Sequence, residues 1–241
     1  MCWRRWSMRR VPSRTLRHCF PPAAEPFLEQ MAQRARRETG KHFGNTVYLF
    51  TPLYIANYCE NYCVYCGFNC YNHIHRMKLS MEQIEHEMKI IADSGMEEIL
   101  ILTGESRAKS DVKYIGEACK LARKYFRNVG LEIYPVNTDE YRYLHECGAD
   151  YVTVFQETYD TDNTRRCNLM GHKRVWPYRF NAQERALRGR YAGRSLLRTA
   201  GPFGFSEGRP GQRAACLLSA AEISPGGDVV VLPEAPAHHQ Q

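Results

Sequence analysis

Between Thr46 and Tyr159 the chain alternates short apolar runs with amphipathic stretches, and this alternation restricts its fold more than any other feature. TVYLFTPLYIANY, EEILILTG, VGLEIYPV and ADYVTVFQETY read as four strands, each a compact apolar run. LSMEQIEHEMKIIADSG, SDVKYIGEACKLARKYF and TDEYRYLHECG read as the helices between them. Ser80 with Gln83 three residues on forms a capping box, and Gly95 supplies the stop. Thr138 with Glu140 gives a less regular start to the third helix. A further helix is expected from Ala23 to about Arg37, where Phe27, Leu28, Met31 and Ala35 recur at helical spacing. Strands alternating with helices imply βα units, hence an α/β fold around a parallel sheet. In such sheets ligands gather at the carboxyl ends of the strands, in the loops that precede the helices.

The formal charge of +7 suggests a polyanionic partner until it is apportioned. Residues 1–19 carry +6 and residues 188–241 carry +2, leaving −1 on the body between them. All eight lysines lie between Lys41 and Lys173. The excess therefore belongs to the ends, and nucleic-acid binding is not expected. No window reaches the run of apolar residues that a membrane span needs. The basic start lacks the apolar core of a secretory signal, although its arginines and lack of acids loosely resemble a transit peptide. A core-bearing chain with no secretion cue reads as cytoplasmic, where clustered cysteines are metal ligands or catalytic rather than disulfides.

Four of the ten cysteines fall in NYCENYCVYCGFNC, residues 57 to 70, directly after the first expected strand. Cys59, Cys63 and Cys66 have the spacing C-x3-C-x2-C. Three readings follow: unrelated thiols, a zinc site completed by Cys70 or His73, or a [4Fe–4S] cluster on three thiolates with one iron left open. TGE (Thr103, Gly104, Glu105) ends the second strand, again at the functional edge of the sheet.

C-x3-C-x-aromatic-C, with Tyr65 as the aromatic, resembles the cluster motif of the radical S-adenosylmethionine (SAM) superfamily. The resemblance implies a partial or full TIM-type (β/α) barrel, a cluster on Cys59, Cys63 and Cys66, and SAM chelated by the open iron. It also implies reductive cleavage of SAM to methionine and a 5′-deoxyadenosyl radical. Thr103, Gly104 and Glu105 resemble the family's GGE-type motif, which holds the SAM amino group. Tyr65 and Phe68 are implied beside the cluster and the adenine, with Cys70 a bystander. FTPLYIANYC, LTGESR, FQETY and RFNAQERAL together resemble the 2-iminoacetate synthase family, the tyrosine lyases of thiamine thiazole synthesis. By that resemblance L-tyrosine is cleaved at Cα–Cβ to 2-iminoacetate and p-cresol. Gln156, Glu157 and Tyr159 would line the active site, and Arg185 would sit near SAM. The expected partners are a thiazole synthase protein and a reductant such as flavodoxin or ferredoxin. The tyrosine lyases of [FeFe]-hydrogenase maturation are the alternative, but they carry a second cluster, and only Cys216 follows Cys167 here.

The resemblance runs from about Pro21 to Gly189, which defines a core of residues 21–189 between a leader of residues 1–20 and a tail of residues 190–241. The tail is rich in Gly, Arg and Pro, has no Lys, and is expected to be disordered. It also suits a shifted reading frame: permitted codons for Arg213–Pro236, read one base later, can encode GLHAYLAQRKYPQAEMSLSCPRLR, which resembles the family's C-terminal segment. SRTLRHCFP, read two bases later, can give QDFTALLSP, and NTRRCN at residues 163–168 suits a third, compensated slip. The DNA decides these frame readings. As written, the chain is expected to hold about four βα units and to be impaired as a lyase.

Overall fold

The computed structural model describes residues 22–45, 47, 49–157, 161–189 and 195–198. Pro26 interrupts the expected first helix, so Pro22–Phe27 is a 3-10 segment and α1 spans Leu28–Phe43. From there β1 (Thr51–Ala56), α2 (Met81–Asp93), β3 (Glu98–Thr103), α3 (Val112–Ala122), β4 (Asn128–Glu132), α4 (Thr138–Glu146) and β5 (Tyr151–Phe155) alternate as the sequence predicts. The short strand β2 (Tyr62–Cys63) lies in the cysteine loop. It pairs antiparallel with β6 (Asn168–Met170), which follows α5 (Thr161–Cys167). A 3-10 turn, His172–Arg174, then leads to α6 (Trp176–Phe180), α7 (Ala182–Arg188) and β7 (Ser195–Arg198).

The main sheet has the order β1-β3-β4-β5-β7, and every neighbouring pair is parallel. One register row joins Leu53, Ile101, Leu131, Val152 and Ser195. Strand alternation turns Ile55, Ile101 and Leu131 toward the helices, where Ile84, Ile115 and Leu144 complete the main core. Leu100, Leu102 and Tyr151 form a smaller cluster on the opposite face. This is the α/β fold around a parallel sheet that the alternation predicts, in the partial (β/α)-barrel form that the family resemblance implies.

The capping box of α2 forms as read: Gln83 N–H donates to Ser80 Oγ, and Ser80 N–H donates to Gln83 Oε1 at 2.8 Å. The cap of α4 sits one residue earlier than expected. Asn137, not Thr138, is the N-cap, and its N–H donates to Glu140 Oε2 at 2.7 Å, which restores the three-residue spacing. The larger departure is β7, which lies within the tail expected to be disordered. Parallel sheets leave backbone donors and acceptors bare along an edge strand, and Ser195–Arg198 meets those of β5. The leader, Tyr159 and the remainder of the tail lie outside the described residues. No helix among the described residues is long and apolar enough to cross a membrane.

Candidate active site

Residues 57–79 leave the carboxyl end of β1 as a loop held by backbone carbonyls, the side chains of Asn57, Asn61, Asn69 and Asn72, and one cation. Arg76 donates to Asn57 O (2.7 Å), Asn69 O (2.8 Å) and Phe68 O (3.1 Å), folding the loop back on itself. Val64 N–H donates to Cys167 O at 2.9 Å, so the β2–β6 pair fastens the loop's outer side. On the inner side, Gly104 N–H donates to Ala56 O at 2.8 Å. A Cβ at Gly104 would stand 2.2 Å from Tyr58 O, so only glycine lets β3 pass this close beneath the loop.

Cys59, Cys63 and Cys66 open into one cavity of about 260 Å³ at the carboxyl ends of β3, β4 and β5. Phe68, Thr103, Gly104 and Glu105 also line it. Phe68 meets Tyr54 edge to face, with ring centroids 5.3 Å apart, closing one wall with apolar surface. Among the described residues the buried Thr103 hydroxyl has no hydrogen-bond partner, leaving a donor and acceptor at the cavity wall. Cys63 is buried, and desolvation pushes its thiol up to about 11, so it holds its proton at neutral pH until a metal displaces it.

Glu105 is the electrostatic centre of the site. Its carboxylate accepts from Arg179 Nη1 at 2.7 Å and from Asn61 Nδ2 at 2.9 Å. Burial pushes this carboxyl up, but the charges of Arg179 and Lys173 and the hydrogen bonds of Arg179 and Asn61 outweigh it, holding Glu105 below the usual carboxylate range. The Arg179 side chain is 5% exposed, and its Nε donates to Phe155 O at 2.5 Å. A second pair, Lys173 with Glu157 at 2.5 Å, stands at the end of β5.

Two residues named from sequence, Gln156 and Arg185, do not line this cavity. Thr153, Phe155 and Glu157 alternate into the cavity, so the strand period turns the buried Gln156 away from it. The Tyr65 hydroxyl donates to Asn168 Oδ1 at 2.9 Å and stands beside the Cys63 thiol, with Lys173 Nζ 5.6 Å from the ring centroid. Arg185 stacks 3.9 Å over the Tyr178 ring and donates to Val136 O and Tyr178 O. Arg179, within the quoted RFNAQERAL, reaches the cavity instead. Asn61, Lys173 and Arg76 are also missing from the sequence reading. A buried carboxylate demands a cation, but nothing in a sequence selects a partner 74 residues away.

Among the described residues, no three His, Cys, Asp or Glu side chains converge on a single ion. A cubane spreads its thiolates over separate irons, so three thiols ranged around one cavity fit a cluster better than one tetrahedral ion.

The profile of the family described as the Radical SAM superfamily matches residues 53–189. The chain belongs to the radical SAM superfamily. Members use a [4Fe–4S] cluster and SAM. The chain is 40% identical over 164 residues to 2-iminoacetate synthase of Escherichia coli, and that match covers 68% of this chain and 44% of the relative. It is 31% identical over 145 residues to 3-methylornithine synthase of Methanosarcina barkeri, covering 59% of this chain and 41% of the relative. Among solved structures it is similar to HydG, a maturase of the [FeFe]-hydrogenase, with a TM-score of 0.76 and 27% identity, covering 83% of this chain and 44% of that one. The chain thus spans less than half the length of these two curated relatives.

Proposed function

We propose that this chain is a cytoplasmic radical SAM lyase of the 2-iminoacetate synthase type, directed at the Cα–Cβ bond of L-tyrosine, and that in its 241-residue form it has little lyase activity. The observation that carries the reading is the shared cavity at the carboxyl edge of the sheet, where three thiols face an ion-paired carboxylate. When bound, the cluster and SAM supply one-electron chemistry: reductive scission of SAM and removal of a hydrogen from the substrate. Cys59, Cys63 and Cys66 would hold the cluster through their thiolates. Glu105, kept ionised by Arg179, offers acceptors to an ammonium group, as the SAM amino group requires. Thr103 Oγ1 is available to the same ligand. Phe68 and Tyr54 supply aromatic surface on that side of the cavity. Glu157, just beyond β5, and Lys173 pair across the same cavity, where the substrate would sit.

Impairment follows from the tyrosine carboxylate. The resemblance assigns it to Ser and Arg groups of an SCPRLRP segment, which is not among the 241 residues. A bidentate arginine–carboxylate pair has no simple substitute. A reductant of the flavodoxin or ferredoxin kind and a thiazole synthase partner belong to the same proposal. Anaerobic reconstitution tests it. Bound iron and sulfide, a broad visible charge-transfer band, and 5′-deoxyadenosine without p-cresol are expected. A colourless, zinc-loaded protein overturns the cluster, and measurable p-cresol overturns the impairment.

A further inference from the structure

Asn61, two residues after Cys59, is 1% exposed, and its side-chain amide has a partner at every position. Nδ2 donates to Glu105 Oε2 at 2.9 Å and to Cys59 Sγ at 3.6 Å, while Oδ1 accepts the Lys173 backbone N–H at 2.9 Å. These partners dictate the amide's orientation, because an ionised carboxylate only accepts and a backbone N–H only donates. The chain is shaped around this group. Gly171, at φ 94°, passes so close that a Cβ there would stand 2.3 Å from Asn61 Oδ1. Because Arg179 fixes the Glu105 carboxylate, the amide plane is fixed too, and with it the N–H aimed at the Cys59 sulfur.

We infer that Asn61 is a positioning residue that locks Cys59 to Glu105 and, by donating a hydrogen bond to the ligand sulfur, raises the cluster's reduction potential and makes it responsive to what Glu105 binds. The inference rests on the cluster reading above. A ligand sulfur shares the cluster's negative charge, and that share grows when an electron is added. A fixed N–H dipole on the sulfur therefore stabilises the reduced state more than the oxidised one. A ligand cation at Glu105 draws on the carboxylate that anchors the same amide nitrogen, which gives the SAM site a direct mechanical link to the cluster. An asparagine that merely satisfied a buried turn would affect stability and leave the potential unchanged.

The test uses the full chain, anaerobically reconstituted, as wild type, Asn61→Asp and Asn61→Ala. Iron and sulfide per chain are measured, together with midpoint potentials followed by electron paramagnetic resonance, with and without SAM. Asn61→Asp keeps the size and the acceptor for Lys173 but loses both N–H donors. Asn61→Ala loses them without adding charge. Both are expected to be about tenfold harder to reduce, about 59 mV for one electron, and to lose most of the SAM-induced shift. A wild-type midpoint in variants with full iron content overturns the inference. Failure of the wild type itself to hold a cluster overturns the proposed function instead. A metal-free measurement covers variants that load poorly: alkylation of Cys59, read by mass spectrometry against Cys66 in the same molecule, is expected to slow in Asn61→Asp, which removes the N–H on the sulfur and sets a carboxylate beside it. An unchanged ratio between the two cysteines also overturns the inference.

Discussion

At the residue scale, the Glu105–Arg179 pair carries both a stability cost and a pH signature. The Glu105 and Arg179 side chains are 15% and 5% exposed, so truncating the arginine leaves a largely desolvated carboxylate with Lys173 as its remaining nearby cation. Breaking such a pair costs about 3–5 kcal/mol, and Arg179→Ala is expected to lose that much in denaturant unfolding. In the wild type the folded pKa of Glu105 lies below its unfolded value of about 4.3. The unfolded chain therefore binds more protons between the two values, and this contribution is complete above the unfolded pKa and lost as pH falls through the folded one. In Arg179→Ala burial prevails and the carboxyl rises, so stability there grows as the pH is lowered toward protonation of Glu105. Thermal unfolding from about pH 3 to about pH 6 should show a positive slope in the wild type and a flattened or reversed one in the variant. Gly104→Ala is a separate steric case. Its methyl meets the Tyr58 carbonyl, a backbone atom that cannot rotate aside, and relief requires moving the cysteine loop. Overpacking of this kind costs about 1–3 kcal/mol, and the iron content after reconstitution should fall along with the unfolding midpoint.

At the element scale, the local grammar of helix starts and strand periods is what the sequence made legible. Ser80 and Gln83 mark α2 because both halves of the capping box are local, and Ser80→Ala is expected to cost about 0.5–2 kcal/mol of thermal or chemical stability. The cap of α4 was misplaced by one residue because Asn and Thr both cap helices, and only the observed turn shows which one precedes Glu140 at the right distance. Gln156 falls between two cavity-lining residues, Phe155 and Glu157, and strand phase cannot be set without the sheet. Cys59, Cys63 and Cys66 were legible because their spacing is short and their chemistry rare. Asn61 and Arg76 lie in or beside the same loop and were not legible, because their roles depend on Glu105, Lys173 and three backbone carbonyls that folding alone brings together. Arg179 differs again. It stood inside a stretch already singled out, but a helix offers several arginines, and only tertiary packing sends Arg179 to the cavity and Arg185 onto Tyr178.

At the scale of the whole molecule, the question is what a five-stranded open sheet does with its edges. A closed barrel has no edge, whereas here β1 and β7 bound the sheet among the described residues. β7 pairs with β5 over four residue pairs, from Val152↔Ser195 to Phe155↔Arg198, and it is set in sequence that reads as foreign to the core. β5 presents backbone donors and acceptors that need partners, and β7 meets them. That reading predicts an asymmetry. Along an edge strand alternate N–H groups point into the ladder and out to solvent, and proline is tolerated only at the outward positions. Of the two substitutions Leu196→Pro and Leu197→Pro, one removes a ladder N–H and the other does not. Only the first should abolish the slow hydrogen exchange of the β5 amides that face β7, and the same variant should scatter light at lower temperature as the bare β5 edge pairs with other copies. If both substitutions leave β5 protection at the wild-type level, β7 does not cover β5 in solution and the sheet ends at β5. If both abolish it equally, the docking depends on the segment's side chains rather than on its ladder.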